Sequence, residues 1–219
     1  MLTVHHLNNS RSQRVLWLLE ELAVPYEIVR YERDRKTNLA PPELEKIHPL
    51  GKSPVITDDG TTVAESAVIL EYIAEKHGNG RLLPARGTPE YERYRYFMHY
   101  AEGSLAPFLV LKLITSKVRR APFPVRLIAK GIAGKIDGIF VTPNLRRHVA
   151  FLDGELASRP FFAGEQLSVA DIQMSFPMEA LAARVPDVPA SIRDYVARIR
   201  ERPAYQRALA KGGPYDVIS

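Results

Sequence analysis

From residue 1 to about 77 the apolar positions change period several times, so strand and helix alternate. Leu2 to Leu7 forms a short run closed by the polar turn Asn8-Asn9-Ser10 and predicts a strand. A helix follows from about Ser12 to Ala23. Val15, Leu16, Leu18, Leu19 and Leu22 give it a broad apolar face, and Val24-Pro25 stops it. Tyr26 to Tyr31 alternates polar and apolar as a second strand, and Pro41-Pro42-Glu43 opens a short helix through Ile47. Pro54 to Thr57 and Thr61 to Ala64 predict a hairpin about Asp58-Asp59-Gly60, and Ser66 is placed as the cap of the next helix, with Ile69, Leu70 and Ile73 inward. The predicted order is β-α-β-α-β-β-α.

Around Gly78-Asn79-Gly80 and Leu83-Pro84 to Pro89 the composition shifts to turn formers, and the pattern beyond is helical. Helices are predicted over Tyr91 to Leu113, Asn144 to Ala157, Val169 to Ala183 with a kink at Pro177, Ile192 to Arg200 and Ala204 to Ala210. The chain thus divides into an α/β domain at 1–78, a linker at 79–89 and an all-α domain at 90–219. Ala121 to Pro143 carries too many glycines and prolines for an assignment. Ser168 and Asp171 have capping-box spacing, flanked by Leu167 and Ile172 as a hydrophobic staple, and capping accounts for every residue of that motif.

Composition narrows the function classes. The 219 residues, 46% of them apolar, can bury one large core or two modest ones. With no cysteine the chain has no disulfide, no thiolate metal site and no redox sulfur of its own, which points to a reducing, cytoplasmic setting. The beginning of the chain does not read as a signal peptide, and the apolar run Leu105 to Leu111 is too short to span a bilayer. The six histidines lack metal-ligand spacing, so no metal is expected. A net charge of +5 is concentrated in one interval, where Lys117, Arg119, Arg120, Arg126, Lys130, Lys135, Arg146 and Arg147 face only Asp137. That interval reads either as a solvated helical face or as a footprint for an acidic partner. Without interleaved aromatics for base stacking, nucleic acid is not expected.

The most chemically suggestive stretches are Gly51-Lys52-Ser53-Pro54-Val55-Ile56 and Ala64-Glu65-Ser66-Ala67. A proline at the mouth of a strand beside an acid and a hydroxyl at a helix start describes a cradle for a small peptide-like anion. Each element also has a plainer reading: a trans proline opening a strand, Ser10 and Ser66 as N-caps, Lys52 solvated.

Together with His48-Pro49-Leu50 and Ser10-Arg11-Ser12-Gln13-Arg14-Val15-Leu16-Trp17, these motifs resemble the cytosolic glutathione transferase family, in its fungal-like branch shared by fungi and bacteria. The resemblance covers essentially the whole chain and implies a thioredoxin-like α/β domain before an all-helical one. It further implies glutathione as co-substrate, a small electrophile as second substrate, and a two-fold homodimer.

By that resemblance Ser10 is the catalytic donor to the glutathione sulfur, with Asn9 and Ser12 as rival donors and Arg11 reinforcing the field. Ser53 pairs its main chain with the cysteinyl unit, and its bond to Pro54 is cis. Ser66 holds the γ-glutamyl carboxylate, Glu65 meets the α-amino group and Lys52 reaches the glycyl carboxylate. The electrophile is expected between the domains, near Tyr96, His99, Tyr100 and Tyr215. Transferase chemistry leads; glutathione-dependent peroxide or disulfide reduction, or a non-catalytic binding role, are the alternatives.

Overall fold

Strand β1 (Leu2–Leu7) is the hub of the amino-terminal half in the computed structural model, which describes residues 1–213 and 215. It pairs in parallel with β2 (Glu27–Tyr31) on one side and antiparallel with β3 (Val55–Asp58) on the other, and β3 pairs antiparallel with β4 (Thr61–Ala64). The sheet order is therefore β2-β1-β3-β4. The parallel β1–β2 pair requires a crossover, supplied by α1 (Gln13–Leu22); α2 (Ser66–Lys76) follows β4. A single short 3₁₀ turn at Pro42–Lys46 stands where the fourth predicted element was placed. Asp58, buried at the end of β3, accepts from Tyr72 at 2.9 Å and Lys76 at 2.8 Å, and bonds His77 at 2.7 Å, which ties the hairpin to α2.

From Pro89 onward the described residues are helical. They form α3 (Pro89–Tyr100), α4 (Ala106–Val118), α5 (Arg126–Ile136) and α6 (Thr142–Ala157), then α7 (Val169–Arg184), α8 (Ala190–Arg200) and α9 (Pro203–Gly212). The long helix expected from Tyr91 is two helices joined through a π turn at Ala101–Leu105, and it runs on to Val118. The unassigned interval holds α5 and a second π turn, Asp137–Val141. Its irregular pattern has a physical origin: a π turn adds a residue to the helical repeat and so breaks the apolar period.

The core is built around α7, which is buried along most of its length. The expected capping box holds its start: Asp171 accepts from the Ser168 N–H at 2.8 Å and hydroxyl at 2.9 Å, and also from the Phe162 N–H at 2.8 Å. The last helix returns to the amino-terminal half, where Tyr205 meets Trp17 edge-on at 5.2 Å. Arg202 pairs with Glu21, while Arg207 and Lys211 pair with Glu20. Replacing Asp171 by Ala would leave two buried N–H donors unanswered. We expect a loss of about 3 kcal/mol in the free energy of urea unfolding; a loss below about 1 kcal/mol would show that the box contributes little.

Candidate functional site

The sheet's connectivity brings three strand ends to one edge. Because β1 is antiparallel to β3 and β3 to β4, Leu7, the residues before Val55, and Ala64 lie side by side. A cleft of about 640 Å³ opens there. One wall carries Asn9, Ser10, Lys52, Ser53, Pro54, Glu65 and Ser66; the other carries Val110, Leu113 and Lys117 of α4 with Phe176 and Arg184 of α7.

The Ser53-Pro54 bond is cis, as the resemblance implied. Register places Ser53 across from Leu7, just past the last paired residues His5 and Val55. Its hydroxyl donates to the His5 carbonyl at 2.8 Å and accepts from the Leu7 N–H at 3.3 Å. The side chain thus pins the strand end while the main chain stays at the cleft. Ser66 is not the helix cap: Glu65 occupies that position, makes no side-chain capping bond, and leaves Ser66 as the first helical residue. The Ser66 hydroxyl therefore stands beside the unpaired N–H groups of a helix start. Glu65 itself is held at φ +72°, a region that non-glycine residues enter at a cost of about 1–3 kcal/mol and mainly at functional sites.

Ser10, Ser12 and His6 form a buried chain of hydrogen bonds. The Ser10 hydroxyl lies 2.8 Å from that of Ser12 and accepts from the Ser12 N–H at 3.2 Å. The Ser12 hydroxyl is also 2.8 Å from His6 Nδ1 and 3.3 Å from the Leu7 carbonyl. Ser12 is thus fully engaged, buried and absent from the cleft wall, whereas Ser10 reaches it. A hydroxyl hydrogen turns about its C–O bond, so Ser10 can direct it to Ser12 or to an anion in the cleft. The His6 ring also hydrogen-bonds the backbone of Gly212 in α9, and burial lowers its pKa to about 4, which keeps it neutral.

Two basic residues at the start of α1 reach across to the helical half. Arg14, buried, pairs with Glu102 at 2.7 Å, Arg11 pairs with the same carboxylate at 3.2 Å, and both guanidinium groups lie over Phe176, at 5.4 and 5.6 Å from its centroid. Arg33 braces the loop beneath Asn9, donating to the Asn8 carbonyl at 3.2 Å and to Asn38 at 3.1 Å, while its N–H donates to the Asn8 side chain. Arg33 and Phe176 carry no local sequence signal, since tertiary packing alone brings them to the cleft.

Tyr96, His99 and Tyr100, expected near the electrophile, do not line this cleft. They line a separate groove with Glu92, Arg95, Gly103 and Ser104. Beyond the π turn, the continuation of this helix as α4 is what reaches the cleft, at Val110, Leu113 and Lys117. Tyr215 is also elsewhere, donating to buried Glu179 at 3.0 Å.

Residues 1–75 match the family model described as "Glutathione S-transferase, N-terminal domain" and residues 141–203 match "Glutathione S-transferase, C-terminal domain". The chain is 41% identical to glutathione S-transferase 3 of Schizosaccharomyces pombe, over 82% of this chain and 74% of that one. It is 34% identical to glutathione S-transferase 1 of Saccharomyces cerevisiae, over 96% and 95%. Among solved structures, a glutathione S-transferase from Actinobacillus pleuropneumoniae is similar with a TM-score of 0.78 at 29% identity, covering 99% of this chain and 95% of that one. A sphingomonad glutathione S-transferase complexed with glutathione has a TM-score of 0.72 at 26% identity, covering 96% and 98%.

The neutral state of His6 has a pH signature. Its folded value of about 4 lies below the ordinary 6.5, so the unfolded chain takes up the extra proton between the two. Stability from this group is therefore full above pH 6.5 and lost as pH falls toward 4, by about 3 kcal/mol in all. Burial also lowers His5, which adds in the same direction. Urea titrations across that window should show a flatter slope in His6→Asn, whatever its absolute stability; an unchanged slope would assign the acid loss to other groups.

Proposed function

The chain belongs to the glutathione S-transferase family, and from that premise we propose that its cleft holds glutathione with the sulfur at Ser10 and delivers the thiolate to a small electrophile. The observation that carries this reading is the convergence of Ser10, Ser53-cis-Pro54 and Glu65-Ser66 on one cleft wall. Ser53 lies at the end of the strand ladder, where the cysteinyl unit of a tripeptide can add as a short extra strand. The γ-glutamyl carboxylate sits on the Ser66 hydroxyl and the start of α2, where the helix dipole favours an anion. Glu65 meets the α-amino group and Lys52 the glycyl carboxylate. In this arrangement residues 1–78 form the glutathione-binding domain, joined through 79–89 to the helical domain at 90–219.

Chemistry then needs little from the protein beyond placement and charge stabilisation. A free thiol has a pKa near 8.5 and is mostly protonated at neutral pH. A hydroxyl donor together with the start of α1 lowers that value by roughly two units, about 2.7 kcal/mol in favour of the thiolate. Ser12, held by His6 and the Leu7 carbonyl, positions Ser10 rather than touching the sulfur. The thiol proton leaves to solvent. Sulfur then forms a bond to the electrophilic carbon, and the leaving group departs with the bonding pair, in a step made effectively intramolecular by the cleft. Val110, Leu113 and Phe176 supply an apolar wall for the electrophile, in place of the Tyr96 region. We place the homodimer face of this reading on α2 and α3, where Val68 and Tyr96 are half exposed and Glu92 and Arg95 lie beside Tyr96.

Replacement of Ser10 by Ala should raise the pKa of bound glutathione by one to two units, read by thiolate ultraviolet absorbance, and lower kcat at neutral pH by about 10- to 100-fold with affinity retained. An unchanged thiol pKa would remove Ser10 from this role. Assays with an aryl halide, an organic hydroperoxide and a small disulfide separate transfer from reduction, and no turnover with any of them would sink the enzymatic reading. Glu65→Gly relieves the positive φ while deleting the carboxylate, so it should keep or raise thermal stability and weaken glutathione binding about tenfold or more. Retained affinity would remove Glu65 from the site.

A further inference from the structure

Helix α5 is turned the wrong way round for a helix of a water-soluble bundle. Its small or polar side, Ala133 and then Asp137, is buried against α4, where Asp137 accepts from Thr115 at 2.6 Å, Arg119 at 2.8 Å and Lys112 at 3.2 Å. Its isoleucines point outward at four-residue spacing: Ile128 is 69% exposed, Ile132 55% and Ile136 41%. Phe123, in the turn before α5, is 89% exposed. Isolated exposed apolar residues are ordinary, but a stripe along one helix face marks an interaction surface.

The charge around this stripe selects its partner. Between Lys117 and Arg147 the chain has eight basic residues and one carboxylate. That carboxylate, Asp137, is buried and already paired, so the charges this stretch exposes, Arg120, Arg126, Lys130 and Lys135 among them, are all positive. A second copy docked by two-fold symmetry would set this positive field against itself. A nucleic acid would answer the cations and leave the isoleucines in water. An anionic bilayer surface answers both: apolar side chains enter the boundary between headgroups and acyl chains, while lysine and arginine stems lie along it with their charges on acidic headgroups.

We propose that the α5 face, with Phe123 and the Ile128–Ile132–Ile136 stripe at its centre, is a peripheral docking surface for membranes rich in anionic lipid. This proposal does not depend on the glutathione reading. Its face is continuous with the cleft through α4, whose Val110 and Leu113 line the cleft while Ile114 and Val118 on the same helix are exposed.

The test is sedimentation of the full chain with vesicles of phosphatidylcholine alone or with roughly a third phosphatidylserine, at low and physiological salt. The expected result is recovery with the mixed vesicles at least tenfold above that with phosphatidylcholine, weakening as salt rises. Lys130→Glu/Lys135→Glu and Ile128→Ser/Ile132→Ser should each reduce that recovery about tenfold or more. Both variants should keep the wild-type circular dichroism spectrum and thermal midpoint, which separates this outcome from misfolding. Equal recovery with both vesicle types, or with neither, would overturn the proposal. So would concentration-dependent self-association abolished by Ile128→Ser/Ile132→Ser, which would make the face a contact between copies. Retention on poly-glutamate that the serine variant leaves intact, without vesicle binding, would reassign it to an acidic protein and equally overturn it.

Discussion

Helix α1 has almost no solvent face, and the rest of the structure is arranged around that constraint. Val15, Leu16, Leu18 and Leu19 pack as an amphipathic helix on a sheet should, but Arg14, Trp17 and Glu20 on its other side are buried as well. Burying charge without partners is costly. The carboxyl-terminal half therefore supplies them: Glu102 and the ring of Phe176 for Arg14, Arg207 and Lys211 for Glu20, Tyr205 against Trp17. The helix that carries Ser10 at its entrance is thus clamped on every side. The Ser10 hydroxyl at the cleft is thereby held in place, and a few tenths of an ångström decide whether a hydrogen bond forms.

The amino-terminal half was readable from the residues because its information is local. Alternation, turn formers and a Pro-Pro-Glu start locate its elements within a residue or two, and the strand ends then gather the predicted glutathione-binding residues without further help. Ser12 shows the limit of that reading. It has the right residue type beside the right turn, yet His6 and Leu7 already take its hydroxyl. Ser66 shows the same limit in reverse, since its favourable capping chemistry goes unused when Glu65 adopts the unusual backbone angle.

In the helical half, apolar spacing and proline breaks locate α6 to α9 within two residues, but not the long rod before them or α5. Ser168 and Asp171 locate the start of α7 because a capping box needs no distant partner. By contrast, Asp137 looked like a lone acid among bases; its partners Thr115, Arg119 and Lys112 come from the antiparallel neighbour, α4. Spacing along the chain likewise could not reveal which aromatic residues face the cleft. Tyr96 and Tyr100 stack on each other and meet Phe151 edge-on and tilted, in an aromatic cluster that does not line the cleft.

The π turn at Ala101–Leu105 separates a helix whose face is shared with Phe151 from one whose face closes the cleft. One residue corresponds to about 100° of helical rotation. Excising a single residue there would swing Val110, Leu113 and Lys117 by more than a quarter of a turn while the wall carrying Ser10, Ser53 and Ser66 stayed put. The rod therefore works as a dial. Gain or loss of one residue at this point would exchange the surface that α4 offers to the cleft and leave the wall of Asn9, Ser53 and Ser66 unchanged.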